Sequence, residues 1–96
     1  MVLTILEKAK AEVANENSLA AVRTLSQALQ EAVQLRNNVL TQEVQKLQKL
    51  IESIESTLRW LEKNAFEAKP THLNPMITLA KEIDFAALRT LARARA

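Results

Sequence analysis

The chain has 96 residues, a formal net charge of +2, two Pro, and no Gly, Cys or Tyr. This length supports one domain with a single core, and the dominance of strong helix-forming residues predicts an all-α fold, a small bundle of about four helices. Without Gly and Cys the chain has no phosphate-binding glycine loop, disulfide, thiolate nucleophile or Cys-based zinc site.

The first two predicted helices are joined by a short polar turn. The first covers about residues 2–14 and places four residues on one face, Val2, Leu6, Ala9 and Val13. In the turn, Asn17 or Ser18 is expected to accept hydrogen bonds from the first amides of the next helix. Because Gly is absent, Asn is expected to take the left-handed positions at helix ends. The second helix covers about residues 18–36, with an inward face of Val22, Leu25, Leu29 and Ala32 or Val33.

Three small residues stand across this turn, Ala9, Ala21 and Ala28, twelve and seven residues apart. Their spacing resembles the small-residue pattern of tetratricopeptide-like hairpins, in which small side chains let two antiparallel helices approach closely. The resemblance covers about thirty residues and lacks the aromatic and glycine positions of that family. It therefore implies a closely packed helix pair and carries no function.

The third predicted helix, about residues 39–64, carries the most specific pattern in the chain. Its apolar residues alternate spacings of four and three, in the order Leu40, Val44, Leu47, Ile51, Ile54, Leu58 and Leu61. Such a heptad seam is typical of a helix in a coiled coil and requires a partner helix. The partner is either a second chain, which predicts a homodimer, or a neighbouring helix of the same chain. A break at Asn37-Asn38 separates this helix from the second; the alternative is one helix from about 18 to 64.

The segment after the third helix is a linker, about residues 66–74, followed by the last helix, about residues 75–94. Pro70 disfavours helix before it, and Asn74-Pro75 is a helix-start signal. The inward face of the last helix is predicted as Met76, Ala80, Ile83, Ala87 or Leu88, and Leu91. In a second interpretation, Asp84 interrupts this helix and caps a final segment that begins at Phe85.

Residues that could carry chemistry are few. His72 is the only histidine, and it lies in the linker without a second His or a Cys to complete a metal site. A di-iron site in a bundle needs two Glu-x-x-His pairs, which one histidine cannot supply. We therefore expect His72 to be a solvated loop residue, and the chain to be no enzyme and to hold no cofactor or metal.

Two features suggest binding surfaces. Trp60 lies off the heptad seam beside two small residues, Ser53 and Ser56, and is either core covered by the last helix or an anchor for a partner. The C-terminal arginines, Arg89, Arg93 and Arg95, have no acidic residue beyond Asp84 to offset them. They either complement the dipole of the last helix or contact nucleic-acid phosphates.

We predict a non-catalytic module for protein–protein interaction, assembly or regulation, an adaptor that presents helical surfaces. Its partner or self-association surface is predicted as Leu47, Ile51, Ile54, Leu58 and Trp60. The alternative is a dimeric nucleic-acid-binding regulator that uses the C-terminal arginines. No stretch approaches the roughly 20 apolar residues of a membrane-spanning helix, and Met1–Leu6 is too short for a signal-peptide core. We therefore expect a soluble cytoplasmic protein without a membrane partner or an evident small-molecule substrate.

Overall fold

The computed structural model describes the backbone of residues 2–37 and 43–95 and the side chains of residues 2–37 and 44–90. The described helices are α1 (Val2–Ala14), α2 (Ser18–Asn37), α3 (Glu43–Lys63), α4 (Asn74–Lys81) and α5 (Phe85–Arg95). Two 3₁₀ turns, Ala65–Glu67 and Pro70–Leu73, stand between α3 and α4. The prediction of an all-α helical bundle is confirmed, with five α-helices in the described residues where about four were predicted.

The core lies between α1, α2, α3 and α4. α1 packs against α2, α2 against α3, and α3 against α4, while α4 and the second 3₁₀ turn return to α1 and close the arrangement. α5 contacts α2 and contributes Phe85 and Leu88 to the same buried cluster. None of the described helices combines the length and apolarity needed to cross a bilayer.

The α1/α2 pair is built on small side chains. Ala9, Ala21 and Ala28 are all fully buried, as the spacing of these alanines implies. The predicted inward face of α1 is also confirmed, because its buried residues are Val2, Leu6, Ala9 and Val13.

The inward face of α2 agrees with the prediction at Leu25 and Ala32 and differs from it elsewhere. Its centre is a stripe of Ala21, Leu25, Ala28 and Ala32, whereas Val22, Leu29 and Val33 are only partly buried. α2 packs on both α1 and α3, so alanines on its central stripe allow both neighbours to approach closely. Val22, Leu29 and Val33 are displaced to one flank of this stripe. The hydrophobic pattern alone therefore predicts an inward face of α2 that is rotated by a fraction of a turn from the observed one.

The turn after α1 is closed by a Schellman motif. The Asn17 N–H donates to the Glu12 carbonyl at 2.8 Å, five residues back. The Glu16 N–H donates to the Val13 carbonyl at 3.0 Å. Glu16 itself has φ 60°, the left-handed position that usually holds Gly. The expectation that Asn would take such positions is wrong here. Asn17 instead caps α2, because its Oδ1 accepts the Ala20 N–H at 3.4 Å, as predicted.

Glu16→Gly is expected to stabilise the fold. A non-glycine residue in the left-handed region costs roughly 1–2 kcal/mol, part of which is offset by the greater freedom of Gly in the unfolded chain. The net gain should be about 0.5–1 kcal/mol, a rise in Tm of a few degrees in thermal denaturation. Asn15→Gly is the matched control, since no described residue besides Glu16 has positive φ. An equal rise for both variants would contradict the explanation.

α2 and α3 are separate helices that lie side by side. They pack along one another, and Arg36 Nη1 donates to Gln48 Oε1 at 2.8 Å between them. One continuous helix from about 18 to 64 could not make these contacts, so that alternative is wrong. The start of the third helix, predicted at residue 39, and the predicted break residue Asn38 lie outside the described residues.

The predicted last helix, about 75–94, is two helices. α4 ends at Lys81 and α5 begins at Phe85, so the interpretation in which Asp84 caps a final segment is confirmed. Asp84 Oδ1 accepts the Ala87 N–H at 3.0 Å, the usual bond of an N-cap residue. Of the predicted inward residues, Met76, Ala80, Ile83 and Leu88 are buried. Ala87 is exposed, and the side chain of Leu91 is outside the described set.

Candidate partner surface

The heptad seam of α3 faces the interior of a single chain. Leu47, Ile51 and Ile54 are each 0% exposed without any second chain present. Leu58 is partly buried against the same core, and Leu40 lies outside the described residues. The folded chain therefore does not present Leu47, Ile51 or Ile54 to a partner, and the predicted surface is corrected at these residues. The physical reason is that α2 and α4 already fill the seam.

Trp60 lies at the edge of the core. It is partly buried, and its ring meets the His72 ring edge-on, with centroids 4.4 Å apart and an interplanar angle of 64°. The Trp60 carbonyl accepts the Asn64 side-chain N–H at 2.9 Å, which ends α3 locally. The His72 ring comes from the second 3₁₀ turn, and Trp60 also packs against the buried core cluster.

His72 has a structural role in the second 3₁₀ turn. Its side chain is exposed, as expected for a loop histidine, yet its Nδ1 accepts the Lys69 N–H at 3.0 Å. The His72 N–H in turn donates to the Lys69 carbonyl at 3.0 Å. These reciprocal bonds resemble a capping box and fix the ring where it meets Trp60.

The exposed apolar surface lies at the end of the bundle where α2 begins and α3 ends. Among the described residues, the exposed large hydrophobic side chains are Phe66, at 106% of its reference area, and Leu19, at 76%. The residues just before them are joined, because Ser18 Oγ donates to the Ala65 carbonyl at 2.8 Å. We call Leu19 and Phe66 the end patch.

The end patch was missed in the sequence. Leu19 is a single apolar residue outside the predicted face of α2. Phe66 is the first residue of the predicted linker, where a single aromatic side chain is ordinarily assumed to pack onto the core. A signal did exist, because the residues within three positions of Phe66 are polar or charged apart from two alanines, Ala65 and Ala68. An aromatic residue in such a polar segment has few apolar neighbours along the chain to cover it.

A recess of about 450 Å³ opens beside Leu19, between α1 and α2. It is lined by Lys8, Glu12, Asn17, Leu19, Ala20, Arg23, Thr24 and Gln27. At its base, the buried Thr24 hydroxyl contacts the Glu12 carboxylate and lies 3.0 Å from the Ala20 carbonyl. Lys8 and Arg23 are exposed on its two walls. The recess therefore combines a positively charged rim with a polar base whose hydrogen bonds are made within the chain.

The arginines of the alternative prediction lie along α5. Arg89 is exposed, and α5 continues in helical conformation through Arg95. Along the α5 backbone, Arg93 follows Arg89 by one helical turn. The side chains of Arg93 and Arg95 are outside the described set.

No protein-family model matches the sequence, and no curated protein or solved structure matches it at a significant level. In the part of the chain that the structure describes, no three His, Cys, Asp or Glu side chains come together as a possible metal site. The function is therefore inferred from the exposed surfaces alone.

Proposed function

We propose that this protein is a non-catalytic interaction module that binds a protein partner through the end patch. The observation that supports the proposal most is the complete exposure of Phe66. Aromatic side chains dominate the energetics of protein interfaces, because they bury a large area at a small cost in side-chain entropy. A fully exposed Phe adds nothing to the stability of the core. A partner that buries it therefore gains binding free energy without destabilising the fold.

The backbone that carries the end patch is also held in position before any partner arrives. The Ser18–Ala65 hydrogen bond joins the start of α2 to the segment after α3 and keeps Leu19 and Phe66 at one end of the bundle. A preorganised patch binds more tightly than a flexible one, since less conformational freedom is lost on association. A cytoplasmic location, an adaptor role and self-association as a homodimer belong to the same proposal.

Photo-crosslinking tests the proposal. With benzoyl-phenylalanine at position 66, irradiation in cells of the native host should yield one dominant protein adduct. The second substitution Leu19→Asp should reduce this adduct severalfold, because it places a charge in the same patch. The matched control carries the crosslinker at Glu52, an exposed position on α3. Equal adducts from positions 66 and 52, or no effect of Leu19→Asp, would contradict a partner site at the end patch.

Nucleic-acid binding through α5 is the second candidate. Arg89 is exposed, and the nearest acid in the sequence, Asp84, is engaged with the Ala87 N–H. If the arginines bind phosphates, affinity for duplex DNA or RNA should fall steeply with salt. Changing Arg89, Arg93 and Arg95 to Gln should abolish binding in a fluorescence-anisotropy titration. Absence of binding by the unmodified chain at low salt would eliminate this candidate.

A further inference from the structure

We propose that the occupant of the end patch is a second copy of this chain, with Phe66 of each copy seated in the recess of the other. The inference rests on the proposed function and names its partner. It is supported by the shape of the two features, by the chemistry of the recess and by the charges beside them.

An exposed aromatic side chain and a recess lie at the same end of the molecule. Phe66 is a fully exposed projection, and the recess of about 450 Å³ is large enough for an aromatic side chain. Leu19 belongs to both, because it is part of the end patch and also lines the recess. In the proposed dimer a two-fold axis passes near Leu19, and each copy of Phe66 enters the recess of the other. Such a self-complementary contact closes a dimer and leaves no free end for further growth.

One wall of the recess offers contacts to a phenyl ring. Leu19 and Ala20 supply apolar surface there, and Arg23 lines the same recess with a side chain that has an apolar methylene stem and a charged end. An Arg guanidinium over the face of an aromatic ring is attractive. The Thr24 hydroxyl at the base already contacts Glu12 and the Ala20 carbonyl. Covering the recess with an apolar ring therefore leaves no hydroxyl without a partner.

The charges also favour a second copy. Glu67 directly follows Phe66 and is exposed, whereas the walls of the recess carry Lys8 and Arg23. Glu12, the one acid of the recess, is turned to Thr24. When Phe66 enters the recess of the other copy, Glu67 comes opposite that positive rim. Lys63 and Lys69 are three residues away from Phe66 on either side, so Glu67 is the charge nearest to it in the chain.

Sedimentation equilibrium of the purified full chain, from about 10 μM to 1 mM, tests the inference, because weak interfaces associate in this range. The mass should rise from 10.8 kDa towards twice that value. Phe66→Ala should remain monomeric with an unchanged thermal melt, since Phe66 is fully exposed and its removal leaves no cavity. Glu52→Ala, on an exposed face elsewhere, is the matched control and should dimerise like the unmodified chain.

A charge exchange tests whether Phe66 of one copy enters the recess of the other. Glu67→Arg and Arg23→Glu should each raise the dissociation constant about fivefold or more, and the double variant should recover most of the loss. A chain that is monomeric at 1 mM overturns the inference, as does a dimer that Phe66→Ala leaves intact. Failure of the double variant to recover also overturns it. If the purified chain is monomeric while position 66 still crosslinks a different protein in cells, the proposed function stands with another occupant.

Discussion

Ile54→Asp is expected to unfold the chain at every protein concentration. Ile54 is 0% exposed inside a single copy, so the new carboxylate would be buried among apolar side chains without a partner. The cost should exceed about 4 kcal/mol, a large part of the roughly 5–15 kcal/mol by which small domains are stable. Circular dichroism should show loss of the cooperative helical melt at both low and high concentration.

Ser56→Asp is the matched control, because it introduces the same charge on the same helix at an exposed position. Its stability should stay within about 0.5 kcal/mol of the unmodified chain. The opposite pattern is also informative. An Ile54→Asp chain that stays folded and loses only an oligomer would mean that the α3 seam meets a second chain after all.

Trp60→Ala is expected to produce the next largest loss. Removal of a fully buried Trp costs about 3–5 kcal/mol, and because Trp60 is only partly buried we expect about 2 kcal/mol. The variant also removes the ring that His72 contacts, so the second 3₁₀ turn should loosen. Thermal denaturation followed by circular dichroism measures the first effect. Amide hydrogen exchange over residues 69–73 measures the second.

The neighbouring Arg59→Ala supplies the comparison. Its ion pair with Glu55 is long, at 3.9 Å, and the Arg59 side chain is 79% exposed. Such pairs are worth a few tenths of a kcal/mol, so Arg59→Ala should be nearly neutral. The unmodified protein should also show Trp60 emission between that of a buried and a free indole, with no second Trp and no Tyr to obscure it. A Trp60→Ala chain as stable as Arg59→Ala would place Trp60 outside the core.

Local patterns predicted most of the helices. The spacing of Val2, Leu6, Ala9 and Val13 defines α1, and Asn17 and Asp84 cap the helices that follow them. Each of these features depends on residues that are close together in sequence. They can therefore be predicted without knowledge of the tertiary structure. The face of α2 was misplaced because its packing on two neighbours selects small residues, and hydrophobicity does not record that.

The candidate site was much less predictable. A heptad seam indicates that a helix has a partner, and nothing in Leu47, Ile51 or Ile54 tells whether that partner is another chain. The answer depends on how far α2 and α4 wrap around α3, which is a tertiary property. The end patch was hidden for the same reason, since Leu19 and Phe66 are 47 residues apart in sequence. They are placed at the same end by the fold.

The Ser18–Ala65 hydrogen bond joins residues 47 positions apart, with α2 and α3 both contained in the loop that it closes. Closing a loop of this length costs conformational entropy, which the rest of the fold must offset. The relative position of Leu19 and Phe66 is therefore a property of the folded chain. During synthesis, Leu19 is made before Phe66, so the fold can place the two residues at one end only after both have been made. A partner that contacts both residues would bind the folded chain more tightly than the unfolded one and would thereby stabilise the fold.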